Sequence, residues 1–170
     1  MATRDRPIVD NVIRNDDAVG ESIQGTGQND HLIHHRDPSL PQTPTNTTLY
    51  GGNGDDILEA SVRDSGQIHM YGGRGDDWFV LDVTKDEGAW PQGHHAFGGP
   101  GNATYQFVNI HQNNALTTGR LDTFSYANDR IAIEDTYIDL NKPPLQSLPL
   151  GGGQGGVFDG CVFLFCCVCF

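Results

Sequence analysis

A nine-residue pattern of glycine and aspartate recurs in this 170-residue chain, and it constrains the fold more than any other feature of the sequence. The two complete copies are YGGNGDDIL at residues 50–58 and YGGRGDDWF at residues 71–79. Weaker copies are QGTGQNDHL at residues 24–32 and FGGPGNATY at residues 97–105. The first glycines of successive copies are 26, 21 and 26 residues apart. Such spacing predicts an array of similar turns, each leading into the same kind of strand.

Each position of the pattern has a physical role. Glycines allow positive φ, so the backbone can curl and aim its carbonyl oxygens inward. The aspartate after the curl supplies a carboxylate at the rim. The large apolar residue two places further on starts a strand and points into a core; these residues are Leu32, Leu58, Phe79 and Tyr105. Segments rich in β-branched and aromatic residues flank the turns. They predict strands at residues 47–50, 57–61, 67–71, 78–83 and 104–110.

The composition agrees with an all-β protein that binds a cation. The chain has 18 Asp but only 4 Glu, 22 Gly and a formal net charge of −12. Asp and Gly are poor helix formers, which argues against a helical bundle. The negative charge argues against nucleic-acid binding, because Lys and Arg must neutralise phosphates. No stretch reaches the ~18 apolar residues of a membrane span, whereas abundant carboxylates suit a hard cation held by oxygen.

The copies at residues 51–59 and 72–80 match the nonapeptide GGxGxDxUx, and by this motif the chain resembles the RTX family of haemolysin-type calcium-binding repeat proteins. Residues 25–32 are similar to the variant GTxGNDxL, with Gln28 in place of a glycine. The resemblance implies a short right-handed parallel β-roll, a kind of β-solenoid. Because the copies are not ~9 or ~18 residues apart, as in a regular roll, we expect one calcium-type turn per coil. Irregular opposite turns are then expected at residues 35–46, 63–66 and 85–93.

The resemblance also implies Ca²⁺ between the turns of neighbouring coils. The carboxylate ligands implied are Asp56 and Asp77, with Asp30 in the variant turn. The implied carbonyl donors are Gly51, Asn53, Gly54, Gly72, Arg74 and Gly75. A plain Gly–Asp β-turn without an ion is the alternative for each copy.

Two further positions of the repeat complete this expectation. In the fourth copy Ala103 stands where the aspartate is needed, so we expect that copy to keep the turn and to bind an ion weakly or not at all. Asp55 and Asp76 fall one place earlier in the pattern, and we expect them to be solvated or to lie behind the ligands.

The chain divides into segments by composition. Residues 119–140 read as two strands around 127–129, and they look like the segment that often closes RTX arrays. A terminal cap is needed because the last coil otherwise exposes its edge. All four Cys lie in the final apolar run. The predicted organisation is a flexible arm at 1–20, a β-roll domain at 21–142 with its cap at 119–140, a Pro/Gly-rich linker at 143–156 and a Cys-rich tail at 157–170.

These features predict a calcium-folded, extracellular module without catalytic activity, whose implied partner is the calcium ion. The N-terminus has no apolar signal region, and the resemblance implies export by a route that does not need one. Two alternatives remain open. One is an accessory or truncated part of a secreted RTX-type enzyme, such as a polysaccharide lyase, epimerase, protease or lipase. The other is a calcium-rigidified adhesion module with glycans or a cell surface as partners.

Overall fold

The computed structural model describes residues 5–16, 20–35, 46–61, 66–84, 93–110, 119–138, 161–164 and 166–169. Within these ranges every regular element is a β-strand, so the expectation of an all-β protein is confirmed. The strands are β1 (Asn11–Arg14), β2 (Ser22–Gln24), β3 (Asp30–His35), β4 (Asn46–Asn53), β5 (Ile57–Ser61), β6 (Gln67–Arg74), β7 (Trp78–Asp82), β8 (Gly93–Phe97), β9 (Thr104–Val108), β10 (Gly119–Asp122), β11 (Arg130–Ile133), β12 (Thr136–Ile138), β13 (Cys161–Leu164) and β14 (Cys166–Cys169).

The strands form two seven-stranded sheets. Sheet A has the order β1-β3-β5-β7-β9-β11-β12, and sheet B has the order β13-β14-β10-β8-β6-β4-β2. From β1 to β11, consecutive strands alternate between the sheets, and neighbours within each sheet are parallel. Each pass of the chain therefore adds one strand to each sheet. The antiparallel pairs are β11 with β12 and β13 with β14.

The main hydrophobic core is supplied by both sheets. Positions of the repeat are numbered from its first glycine, as in GGxGxDxUx. In sheet A, the apolar residues at the eighth position lie in register on adjacent strands and are fully buried; they are Leu32, Leu58, Phe79 and Tyr105. Sheet B supplies a matching buried row of Leu49, Met70, Ala96 and Leu121. Burial alternates along β4 and β6, as expected for strands with one face on a core. The core-facing role predicted for the repeated apolar residue is confirmed.

A second apolar cluster lies on the outer face of sheet A. Ile57, Trp78 and Val80 are buried there, packed against Val9 from the N-terminal stretch and against other partly buried residues. All five residues of β7 are buried, which agrees with a sequence, WFVLD, that is more apolar than those of its neighbours β5 and β9.

Part of the stretch that the sequence predicts as a flexible arm, residues 1–20, belongs to sheet A. Strand β1 pairs in parallel with β3, starting with Asn11 opposite Asp30. The Asp10 backbone N–H donates to the Asn29 carbonyl oxygen at 2.6 Å. This stretch lacks the glycine repeat, so its pairing has no strong signal in the sequence.

The expected cap contains one strand more than the sequence predicts. Strands β10, β11 and β12 all fall within residues 119–140, and β12 folds back antiparallel on β11 at the edge of sheet A. The tail contributes β13 and β14, of which β14 pairs with β10. The predicted linker at 143–156, and most of the irregular turns, lie outside the described residues.

Candidate calcium site

The repeated turns lie in register where the strands of sheet B end. Tyr50 of β4 pairs with Tyr71 of β6, and Tyr71 pairs with Phe97 of β8. Their rings stack with centroids 5.0 and 4.5 Å apart and planes tilted by 10°. The aromatic position of the repeat therefore forms a ladder that fixes the register of the turns.

Stacking of the turns leaves no room for side chains at two glycines of the second copy. Gly52 and Gly54 have φ of 113° and 119°, in the region that side-chain-bearing residues rarely adopt. A Cβ atom on Gly52 would lie 2.5 Å from the Thr26 carbonyl oxygen, and one on Gly54 would lie 2.6 Å from that of Gln28. Glycine is required there by conformation and by space.

The aspartates at the sixth position of the repeat form a ladder across the turns. The Asp30 backbone N–H donates to Asp56 Oδ1 at 2.8 Å, and the Asp56 backbone N–H donates to Asp77 Oδ1 at 3.0 Å. All three residues are buried, with 0–1% of their surface exposed. The fold thus brings the three predicted carboxylates into one column and leaves their second oxygens for other partners.

Those second oxygens are unpaired in the two complete turns. Among the described residues, Asp56 Oδ2 and Asp77 Oδ2 are buried without a hydrogen-bond partner. A Cβ atom on Gly51 would contact Asp56 Oδ2 together with the Gly72 carbonyl oxygen. One on Gly72 would likewise contact Asp77 Oδ2 and the Gly98 carbonyl oxygen. Each complete turn therefore places a carboxylate oxygen and a carbonyl oxygen of the next turn around one small space beside a glycine.

The electrostatics of the two carboxylates follow from this burial. Desolvation raises the pKa of Asp56 to about 6, and the charges of Asp30 and Asp55 act in the same direction. Desolvation raises the pKa of Asp77 to about 7, again helped by neighbouring acids. Buried carboxylates need a positive charge or donors to remain ionised. The oxygens that border these spaces are carboxylate and carbonyl oxygens, the kinds that Ca²⁺ prefers in proteins.

Of the six carbonyl oxygens predicted as metal ligands, two lie beside the carboxylates. The Gly51 and Gly72 carbonyl oxygens border the same spaces as Asp30 Oδ2 and Asp56 Oδ2, respectively. The Arg74 carbonyl oxygen accepts the Gly54 N–H at 2.9 Å, which ties the second and third turns together.

The remaining predicted donors also lie at contacts between turns. Asn53 pairs with Arg74 at the ends of β4 and β6. The carbonyl oxygens of Gly54 and Gly75 face the glycines of the following turns, Gly75 and Gly101. The structure therefore brings all six donors to the stacked turns, with Gly51 and Gly72 beside the carboxylates.

The first turn satisfies its aspartate differently. Asp30 Oδ2 accepts the Thr26 backbone N–H at 2.5 Å and the Thr26 hydroxyl at 2.8 Å. Asp30 Oδ1 accepts the Asn11 side-chain amide at 2.7 Å. Burial raises the pKa of Asp30, but these hydrogen bonds outweigh it and hold the pKa below its usual value. Thr26 stands where the complete copies have Gly52 and Gly73.

The fourth turn carries no carboxylate, as the sequence predicts, and the cap continues the column. The Ala103 backbone N–H donates to Asp129 Oδ1 at 2.8 Å, and the Ser125 N–H donates to Asp129 Oδ2 at 2.7 Å. Asp129 lies 26 residues after position 103, the same interval that separates the other long repeats. Sequence reasoning missed this role because no glycine turn precedes Asp129, and the spacing is the signal that could have found it.

A second ladder runs along the fifth position of the repeat. The Asp55 N–H donates to Asn29 Oδ1 at 2.8 Å, and the Asp76 N–H donates to Asp55 Oδ1 at 2.7 Å. The Asn102 N–H donates to Asp76 Oδ1 at 2.9 Å. Asp55 and Asp76 thus stay at the surface but bind the backbone of the next turn, a structural role that solvation alone does not describe.

No group of three His, Cys, Asp or Glu side chains converges on one point in the described parts of the chain. Backbone carbonyl oxygens, which are not side-chain groups, are also Ca²⁺ ligands in proteins. None of the described segments is a helix with the length and hydropathy of a membrane span. Comparison of the chain with protein-family models, curated proteins and solved structures gave no match in any of the three.

Proposed function

We propose that the chain is a calcium-binding module of the β-roll type that works outside the cell and has no catalytic activity. The observation that carries this proposal is the pair of buried, unpaired oxygens, Asp56 Oδ2 and Asp77 Oδ2, each beside a carbonyl oxygen of the next turn. The alternation of parallel strands between sheets A and B supports the β-roll, because it is the topology that a coiling chain with two strands per coil produces.

Ca²⁺ suits these positions better than other common cations. It takes ~6–8 oxygen ligands in flexible geometry, whereas Mg²⁺ demands a tight octahedron and keeps several waters. Two turns that lie a strand spacing apart offer many carbonyl oxygens and few carboxylates. One ion would lie between the second and third turns, held by Asp56, and another between the third and fourth, held by Asp77.

Weak affinity fits an extracellular role. Extracellular calcium modules bind with Kd of ~10⁻⁴–10⁻³ M, and each proposed site has a carboxylate oxygen of a single residue beside its glycine. Such sites fill in extracellular calcium and stay empty at the lower levels of the cytosol.

Calorimetric titration with Ca²⁺ tests the proposal. The wild-type chain should bind ions that the double variant Asp56→Asn/Asp77→Asn does not bind, because asparagine keeps Oδ1 as acceptor and removes the charge. The matched control is Asp55→Asn/Asp76→Asn, which removes the same charge from the neighbouring ladder and preserves its hydrogen bonds. Full stoichiometry in the first variant, or equal losses in both, would contradict the assignment of the site.

A further inference from the structure

We infer that the first turn holds no ion and that Thr26 occupies there the role that calcium has in the second and third turns. The inference rests on the proposed function, and it replaces the expectation that Asp30 is a calcium ligand. It makes the first turn a calcium-independent end of the array, on which the calcium-dependent turns stack.

The hydrogen bonds of Asp30 are the first support. Its carboxylate accepts three hydrogen bonds from neutral donors: the Asn11 side-chain amide, the Thr26 backbone N–H and the Thr26 hydroxyl. Hydrogen bonds to a charged group are stronger than those between neutral groups. An ion at Asp30 Oδ2 has to displace two of them, whereas an ion at Asp56 Oδ2 displaces none.

Backbone conformation explains why Thr26 behaves differently from its counterparts. Gly52 and Gly73, at the same position of the complete copies, have φ of 113° and 103°. Thr26 is β-branched and does not share this positive φ. Its N–H accordingly points to the aspartate of its own turn, while no N–H reaches Asp56 Oδ2 or Asp77 Oδ2 in the other two.

The two oxygens that border the space beside the first glycine of each complete turn have counterparts in the first turn. A Cβ atom on Gly25 would contact the Gly51 carbonyl oxygen and would lie 3.0 Å from Asp30 Oδ2. This is the same pairing of next-turn carbonyl and own-turn carboxylate that surrounds Gly51 and Gly72. Gln28 and Asn29 also differ from the glycine and aspartate of the complete copies, but Thr26 is the residue whose N–H and hydroxyl occupy Asp30 Oδ2.

The test is the calcium stoichiometry of Thr26→Gly. Wild type should bind two ions, and Thr26→Gly should bind three, because glycine frees Asp30 Oδ2 and can adopt the positive φ of Gly52. Thr26 is exposed, so the substitution removes no core packing. Thr26→Ser keeps both donors and should still bind two, and Thr26→Gly/Asp30→Asn should return to two.

The outcomes separate this inference from the function on which it rests. Three ions in wild type, or two in Thr26→Gly, would overturn the role of Thr26 and leave calcium binding intact. No ions in wild type would overturn the proposed function itself. Circular dichroism of every variant in excess calcium establishes that each one is folded.

Discussion

At the scale of single residues, the stacked turns depend on the absence of a Cβ atom at particular glycines. Gly54 has φ of 119° and lies against the Gln28 carbonyl, whereas a Cβ atom on Gly27 would meet nothing within 4 Å. We expect Gly54→Ala to lower the free energy of unfolding by about 2 kcal/mol or more, since a strained φ alone costs ~1–3 kcal/mol. Gly27→Ala should change it by less than about 0.5 kcal/mol. Urea denaturation in excess calcium measures both, and equal effects would refute the stacking argument.

A second residue-scale feature is a hydrogen-bonded group on the outer face of sheet A. The Nε2 atoms of His31 and His35 lie 3.0 and 2.7 Å from the two carboxylate oxygens of Glu59. The hydrogen bond to Glu59 raises the pKa of His35, with burial acting against it. Asp82 raises this pKa further and Arg14 lowers it. The histidine hydrogen bonds hold the pKa of Glu59 far below its usual range.

These shifts set a pH window for stability. The raised pKa of His35 means that its contribution is fully present below ~6.5, its unfolded value, and is lost as the pH rises through the folded pKa. We therefore expect Glu59→Gln to be less stable than wild type by about 0.5–1 kcal/mol near pH 6, as for a partly exposed ion pair. The difference should shrink by pH 9.

Glu21→Gln is the matched control for that measurement, because it removes the same charge from an exposed position. Its stability relative to wild type should not follow the same curve between pH 6 and pH 9. If the difference between Glu59→Gln and wild type were constant over this range, His35 would not be the titrating partner.

The sequence identifies part of this residue-scale chemistry. The places of Asp56 and Asp77 in the column of aspartates can be predicted because each follows the glycines of a complete copy at the same position. The pairing of Asp30 with Thr26 cannot be found in the same way. It depends on the direction of the Thr26 backbone N–H, which follows from the φ of that residue and is not contained in the repeat pattern.

At the scale of elements, the Gln106 side chain connects the N-terminal stretch with the cap; we call its hydrogen bonds to Arg6, Trp78 and Glu134 the clasp. The Gln106 side-chain oxygen of β9 accepts the Arg6 guanidinium at 2.7 Å and the Trp78 indole N–H at 3.0 Å. Its amide donates to the Glu134 carbonyl oxygen at 2.7 Å, just beyond β11. The Arg6 guanidinium also lies 5.7 Å from the centre of the Trp78 ring. One buried amide thus joins the N-terminal stretch to the cap.

Replacing Gln106 tests the clasp. Gln106→Leu should lower the free energy of unfolding by about 1–3 kcal/mol, because the buried Trp78 N–H and the Glu134 carbonyl lose their partner. Gln24→Leu, the same replacement at an exposed position of β2, should cost less than about 0.5 kcal/mol. Thermal or urea unfolding distinguishes the two, and a neutral Gln106→Leu would mean that the clasp does not contribute to stability.

The elements near the repeat were easier to predict than those away from it. Strands β4 to β7 and β9 follow from apolar residues placed at fixed distances from the glycine turns. Strand β1 and the clasp have no such marker, since their contacts join residues about 20 and 100 positions apart and depend on the finished stack. Residues 119–140 contain three strands where the sequence predicts two, and the additional strand, β12, pairs antiparallel with β11.

At the scale of the whole molecule, net charge opposes folding, and under the proposed function bound calcium offsets that charge. The chain has a formal net charge of −12 and only 36% hydrophobic residues. Burial of so little apolar surface does not readily offset the repulsion among its negative charges. Two buried carboxylates, each with one oxygen that has no hydrogen-bond partner, add a desolvation cost to the calcium-free state. Ions that bind only the folded chain stabilise it by an amount that, above Kd, grows with the logarithm of their concentration. Calcium bound at the two proposed sites would supply charge compensation and links between turns in one step.

We expect the chain to be largely disordered in EDTA and β-rich in millimolar Ca²⁺, as followed by far-UV circular dichroism. Mg²⁺ should restore little structure, because it dehydrates reluctantly and fits a flexible carbonyl site poorly. Sodium chloride of the same ionic strength separates screening of the net charge from specific binding. Asp56→Asn/Asp77→Asn should lose the calcium response while gaining order in EDTA, since its buried charges are gone. A wild-type spectrum that is β-rich in EDTA would contradict this expectation. It would show that the stacked turns and strands form without the ion and that the fold tolerates a net charge of −12.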